Sequence, residues 1–201
     1  MNHVHREPDF ENIRKVLCCQ KPDRPTLFEF FMNPAVYEEA AGLMPTDPDP
    51  VVQLAYMVKA YAACGYDYAN AYGCDLAFPT GETAHKDTIS LNAHSLIQSW
   101  EDFEAYPWPD AKHADYSRLE KIKAYLPPKM KLMTAGPGGL LENVISIVGY
   151  DTLCLMLYDD PELVKAIFDR VGGILLDYYE NCAQYDTVGI LMINDDWGFN
   201  T

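Results

Sequence analysis

The sequence predicts a parallel α/β sheet or barrel, and two observations carry that prediction. Short runs of strand length recur along the chain, and the run at 188–193 is continuously apolar, as in a strand buried on both faces. Helical patterns separate these runs, the longest at 162–183. Strands that alternate with helices form right-handed parallel crossovers, so the strands are expected to lie side by side in one parallel sheet.

The first elements are a helix and a strand. Asp9 can cap a helix over residues 10–19, whose apolar side chains recur at helical spacing. Residues 26–31 form an apolar run that predicts the first strand. Asn33, followed by proline, then turns the chain into a short helix that ends near Gly42.

A second helix and a second strand follow. The helix is clearly delimited: Asp49 can cap its start, proline follows at the next position, and Gly65 lies beyond its last turn. Residues 66–72 predict the second strand, and the partly alternating residues 81–91 predict a hairpin.

The second half of the chain repeats this alternation. Residues 117–126 predict a modest amphipathic helix, and 131–135 predict the third strand, which runs into the glycine-rich loop 136–139. Asp160, followed by proline, opens the long helix, and the fourth strand occupies 188–193.

Composition limits the classes of function. The 201 residues are 49% hydrophobic, which predicts a single domain over residues 1–201. A formal charge of -15 argues against a nucleic acid or an anionic membrane as partner, because both require a basic surface. The sequence has no apolar run of about 18 residues and no signal-peptide pattern at its start, so we expect a cytoplasmic protein. Its six cysteines have no CxxC spacing.

The best catalytic candidates follow the fourth strand, where the sequence reads Asn194-Asp195-Asp196-Trp197-Gly198. Ligands bind beyond the carboxyl ends of parallel strands, and adjacent side chains on a strand point to opposite faces. We therefore expect either Asp195 or Asp196 to act as a general base, a hydrogen-bond acceptor or a support for a metal ligand. The alternative is that Asp196 caps a following turn, and Asn194 could orient a ligand.

Three further acidic residues are candidates for ligand binding, and each could instead have a purely structural role. Glu29 lies within an apolar run, where an ionised carboxylate is costly unless it is paired. Asp67 begins the second strand, which favours a structural role over ligand binding. Glu82 lies in the predicted hairpin, and a position over the ligand site or on a solvated surface would explain it equally well.

Several segments, in this order, resemble the uroporphyrinogen decarboxylase superfamily, which includes zinc-dependent, corrinoid-linked methyltransferases. These segments are Lys21-Pro22-Asp23-Arg24-Pro25, Ser99-Trp100-Glu101-Asp102-Phe103, Tyr106-Pro107-Trp108-Pro109-Asp110, Ala135-Gly136-Pro137, Tyr158-Asp159-Asp160-Pro161-Glu162-Leu163 and Asp195-Asp196-Trp197-Gly198. The resemblance implies a (β/α)8 TIM barrel of which this chain holds about the first four strands, a half-barrel, with an N-terminal helical extension.

The resemblance also implies substrate-binding positions. The decarboxylases hold substrate propionates with an arginine-bearing segment after their first strand, where this chain reads Phe30-Phe31-Met32-Asn33. Their pyrrole-binding aspartate corresponds to Asp75 or, less well, to Asp67, and a tyrosine of theirs corresponds to Asn143. The predicted substrate-binding residues are therefore Glu29, Asn33, Asp67, Asp75, Glu82, Asn143 and Asn194.

Among the activities that the resemblance implies, methyl transfer involving a thiol or a corrinoid protein is preferred. No cofactor site is identifiable in the sequence, and zinc is expected only if a C-terminal half supplies its ligands. Uroporphyrinogen decarboxylation in porphyrin biosynthesis is the alternative. A third possibility is a non-catalytic half-barrel that binds a small molecule. Because open strand edges favour association, we expect a homodimer or completion by a C-terminal half.

Overall fold

The computed structural model describes residues 6–80 and 95–195. Its sheet has three parallel strands, β1 (Tyr68–Tyr72), β2 (Lys131–Ala135) and β3 (Val188–Met192), in the order β1-β2-β3. Asn70 of β1 pairs with Met133 of β2, which in turn pairs with Ile190 of β3. The register shifts beside Met133, so that the pairing of β2 with β3 has one irregularity.

The prediction of a four-stranded half TIM barrel is wrong. Among the described residues there is one sheet of three strands, and the predicted first strand at 26–31 has no strand pairing. Three of the four predicted strands are present, at or near the predicted bounds. The predicted hairpin at 81–91 lies outside the described residues.

Tyrosine hydroxyl groups explain why residues 26–31 do not form a strand. The Tyr68 hydroxyl donates to the Glu29 carbonyl at 2.7 Å and accepts from the Glu29 amide at 2.8 Å. The Tyr61 hydroxyl donates to the Phe30 carbonyl at 3.4 Å. Side chains thus satisfy backbone groups that a neighbouring strand would otherwise bind, and an apolar run alone does not reveal this.

Eight α-helices are described, together with one short 3₁₀ turn at Ile122–Ala124. The helices are α1 (Phe10–Leu17), α2 (Pro34–Ala41), α3 (Pro50–Ala63), α4 (Trp100–Ala105), α5 (Arg118–Lys121), α6 (Leu140–Val148), α7 (Tyr150–Asp159) and α8 (Pro161–Cys182).

The first three helices begin after Asp9, Asn33 and Asp49, of which Asp9 and Asp49 were predicted as caps. The Asp9 side chain accepts from the Glu11 amide, and Asn33 and Asp49 cap α2 and α3 in the same way. Gly42 ends α2 with a φ of 86°, a conformation that glycine adopts without steric cost. The predicted helix at 117–126 is shorter, since α5 ends at Lys121 and continues as the 3₁₀ turn.

The chain divides into two compact units. Unit 1 comprises residues 1–74, 115–135 and 181–192, and it contains the whole sheet with α1, α2, α3 and α5. Unit 2 comprises residues 75–114, 136–180 and 193–201, and it contains α4, α6, α7 and most of α8. The prediction of a single domain stays a prediction.

Each unit buries its own set of apolar side chains. In unit 1 the fully buried side chains include Tyr61, Tyr68, Leu119, Ile122, Leu132 and Met133. In unit 2 they include Ile97, Val144, Ile147, Leu163, Ile167 and Val171. Removing these apolar side chains from water makes the main favourable contribution to the free energy of folding of each unit.

Within residues 6–80 and 95–195, no single helix is long and apolar enough to cross a membrane. The bent pair formed by α6 and α7, with 91° between them, meets the criterion by length and composition only.

Candidate functional site

Most of the residues that directly follow the three strands belong to unit 2. Unit 2 begins at Asp75, three residues after β1 ends, and it resumes at Gly136 and Ile193, directly after β2 and β3. Loops at the carboxyl ends of parallel strands are the positions at which such sheets bind ligands. The parts of these loops that lie in unit 2 therefore define the candidate site, and hydrogen bonds within unit 2 show what Asp195, Glu142 and Asn143 do.

Asp195 caps helix α6 from a distant point in the sequence. The helix begins after Gly139, which has no side chain to bind the free amide groups of the first turn. The Asp195 carboxylate takes this role, because it accepts from the Leu141 amide at 2.8 Å and from the Glu142 amide at 3.2 Å. Its negative charge also lies at the positive end of the helix dipole. This predicted catalytic residue is thus engaged in stabilising α6.

Glu142 completes the start of α6 from within the helix. Its side-chain oxygen accepts from the Gly139 amide at 3.0 Å, which is one half of a capping box. Sequence reasoning missed this residue, although an acidic residue three positions after a helix start is a visible signal.

The glycine-rich loop 136–139 is tightly packed. A Cβ atom on Gly136 would lie 2.4 Å from the Tyr179 hydroxyl oxygen. On Gly139 it would lie 2.3 Å from Cγ of Asp195 and 2.4 Å from the Asn194 carbonyl oxygen. Gly138 has a φ of 97°, in the region that favours glycine. The loop therefore lets neighbouring chain segments approach closely.

The two asparagines of the candidate site differ in exposure. Asn143 is buried at 8% exposure, and its Nδ2 donates to the Gly139 carbonyl at 2.7 Å, so that it braces the same loop. Asn194 is exposed. Both belong to unit 2, and their predicted contacts with substrate stay predictions.

Two predicted substrate-binding residues, Glu29 and Asn33, lie in unit 1. Glu29 is exposed rather than buried, and one carboxylate oxygen accepts from the Phe30 amide at 3.2 Å. Asn33 accepts from the Ala35 amide at 3.0 Å as the cap of α2. The structure therefore gives Asn33 a local structural contact and leaves Glu29 exposed.

Asp67, also in unit 1, forms a buried ion-pair cluster. The residue is fully buried, and its carboxylate lies 2.5 Å from Nη2 of Arg24 and 3.6 Å from Nη2 of Arg6. It also accepts from the Asp9 amide at 2.9 Å. A buried carboxylate needs such partners. Arg6 and Arg24 thus supply the positive charge that the buried Asp67 carboxylate requires.

The remaining predicted residues are less informative. Asp75 is exposed in unit 2. Glu82 and Asp196 lie outside the described residues, so that their predicted roles stay predictions.

Burial shifts the acidity of tyrosines in unit 1. Desolvation raises the pKa of Tyr68 to about 12, although its hydrogen bond with the Glu29 backbone acts in the opposite direction. Desolvation also raises the pKa of Tyr61 far above its ordinary value. Both hydroxyl groups therefore stay protonated at neutral pH and act as hydrogen-bond donors to the segment near Glu29.

The described residues contain no group of three or more histidine, cysteine, aspartate or glutamate side chains that could hold a metal ion. The zinc that the resemblance implies is therefore not matched by the described residues, since a zinc site needs several ligands that converge.

Comparisons with protein-family models, with curated proteins and with solved structures find no match for this chain. The resemblance to the uroporphyrinogen decarboxylase superfamily therefore rests on the sequence segments alone.

Proposed function

We propose that this protein binds a small organic molecule through the loops that follow its three strands. The observation that carries the proposal is that these loops, although far apart in sequence, belong to the same compact unit. Parallel sheets present their ligand sites at this end, where loops vary without disturbing the strands. The exposed Asp75 and Asn194 are the polar side chains proposed to contact the ligand, while Asn143 braces the loop beside it.

We further propose that the chemistry is methyl transfer, on the strength of the sequence segments that resemble the corrinoid-linked methyltransferases. In such a transfer, the bond between the methyl carbon and the donor atom breaks and the electron pair stays with the donor. A thiolate sulfur then forms the new bond to the methyl carbon. Asp195 is occupied at α6, so its role is to position the loop, and Asp196 becomes the candidate that contacts the reacting groups.

Methylcobalamin and a small thiol provide a direct assay. We expect the purified protein to convert methylcobalamin and thiolate into cob(I)alamin and a thioether, with or without added Zn²⁺, as followed by cobalamin absorbance. Substitution Asp196→Asn should lower the rate at least tenfold. The same substitution at Asp159, an exposed residue at the end of α7, is the control and should leave the rate unchanged.

Two results would contradict this proposal. Conversion of uroporphyrinogen to coproporphyrinogen would favour the decarboxylase alternative. The second result is that no methyl transfer occurs while a small molecule still binds saturably, and Asn194→Ala abolishes that binding. This result would support the binding function and contradict the methyltransferase chemistry.

The position of β3 at the edge of the sheet, among residues 6–80 and 95–195, supports association as a second property of the protein. β3 is the last strand in the sheet order, its five residues Val188–Met192 carry no charge, and Leu191 is 39% exposed. Uncharged edge strands pair readily with another chain. We propose that two copies pair through this edge as a homodimer, and that the protein is cytoplasmic.

Sedimentation velocity tests the association. The wild-type protein should sediment as a dimer of 22.7 kDa subunits. Substitution Leu191→Lys should shift it towards the monomer, because a charge on an edge strand opposes pairing. Leu157→Lys places the same charge on the exposed face of α7 and should leave the dimer intact. A monomeric wild-type protein would contradict the proposal.

A further inference from the structure

We draw no further inference here: the strongest candidate, the exposed apolar face of α7 that carries Tyr150, Cys154, Leu155, Leu157 and Tyr158, is an unpartnered surface patch, and nothing in the structure shows what covers it.

Discussion

Replacing Gly139 by alanine tests whether the segment that carries Asp195 must stay in contact with the start of α6. Gly139 has a φ of -81°, which alanine adopts without strain, so the clash is the main cost. The new Cβ atom would lie 2.3 Å from Cγ of Asp195 and 2.4 Å from the Asn194 carbonyl oxygen. Because carbon atoms in contact are normally about 3.5–4.0 Å apart, the segment 194–195 has to retreat by roughly 1 Å.

This movement breaks both hydrogen bonds that backbone amides of α6 donate to Asp195, which are 2.8 Å and 3.2 Å long. A hydrogen bond to a charged group contributes about 1.5–3 kcal/mol, and water compensates for part of it at this half-exposed position. Alanine also restricts the unfolded chain, and this effect raises the free energy of unfolding by about 0.4–1 kcal/mol. We therefore expect Gly139→Ala to lower the free energy of unfolding by about 2–3 kcal/mol.

Urea denaturation followed by far-ultraviolet circular dichroism measures this change. Gly173→Ala is the matched control, because Gly173 lies within α8 and a Cβ atom there would meet nothing within 4 Å. That substitution should raise the free energy of unfolding by about 0.5–1 kcal/mol, since alanine is the better helix former. If both variants are equally stable, Asp195 does not hold α6 and the reasoning is refuted.

Two predictions concern unit 1. Asp67→Ala should lower the free energy of unfolding by about 2–4 kcal/mol, because it leaves two partly buried guanidinium groups without their buried partner. Asp23→Ala, which removes an exposed pair with Lys15, should cost less than about 1 kcal/mol, and similar losses for the two variants in urea denaturation would contradict this. Tyr68 has a pKa of about 12 in the folded protein against 10.0 ordinarily, so its contribution to stability is present below pH 10 and is lost between pH 10 and 12. Tyr68→Phe should therefore flatten the fall in unfolding free energy across that window. Urea denaturation at several pH values measures this slope, and a slope unaltered by Tyr68→Phe would refute the assignment.

Elements specified by nearby residues were predictable from the sequence. Asp9, Asn33 and Asp49 each accept a hydrogen bond from an amide two positions further along, so a cap and its partner are read in one short window. The bounds of β2 also match the prediction. These signals depend on local geometry, which the sequence shows directly.

Elements that depend on distant partners were not predictable. The backbone of Glu29 is bound by a tyrosine hydroxyl 39 positions away, which replaces the expected strand pairing. Asp195 caps a helix that begins 55 positions before it, whereas its place after a strand indicated catalysis. In both cases tertiary contacts decide which groups bind each other.

Because Asp195 caps α6, anionic substrates are expected to bind less well than neutral or cationic ones. The positive end of α6 would attract an anionic ligand, but the Asp195 carboxylate already occupies its first amide groups. A porphyrinogen with many carboxylates would have to displace that carboxylate, and it would approach a chain with a formal charge of -15. A neutral or cationic methyl donor meets neither obstacle, because the exposed Asn194 offers an uncharged amide. Methylated amines and thioethers are therefore the first ligands to test, ahead of polycarboxylates.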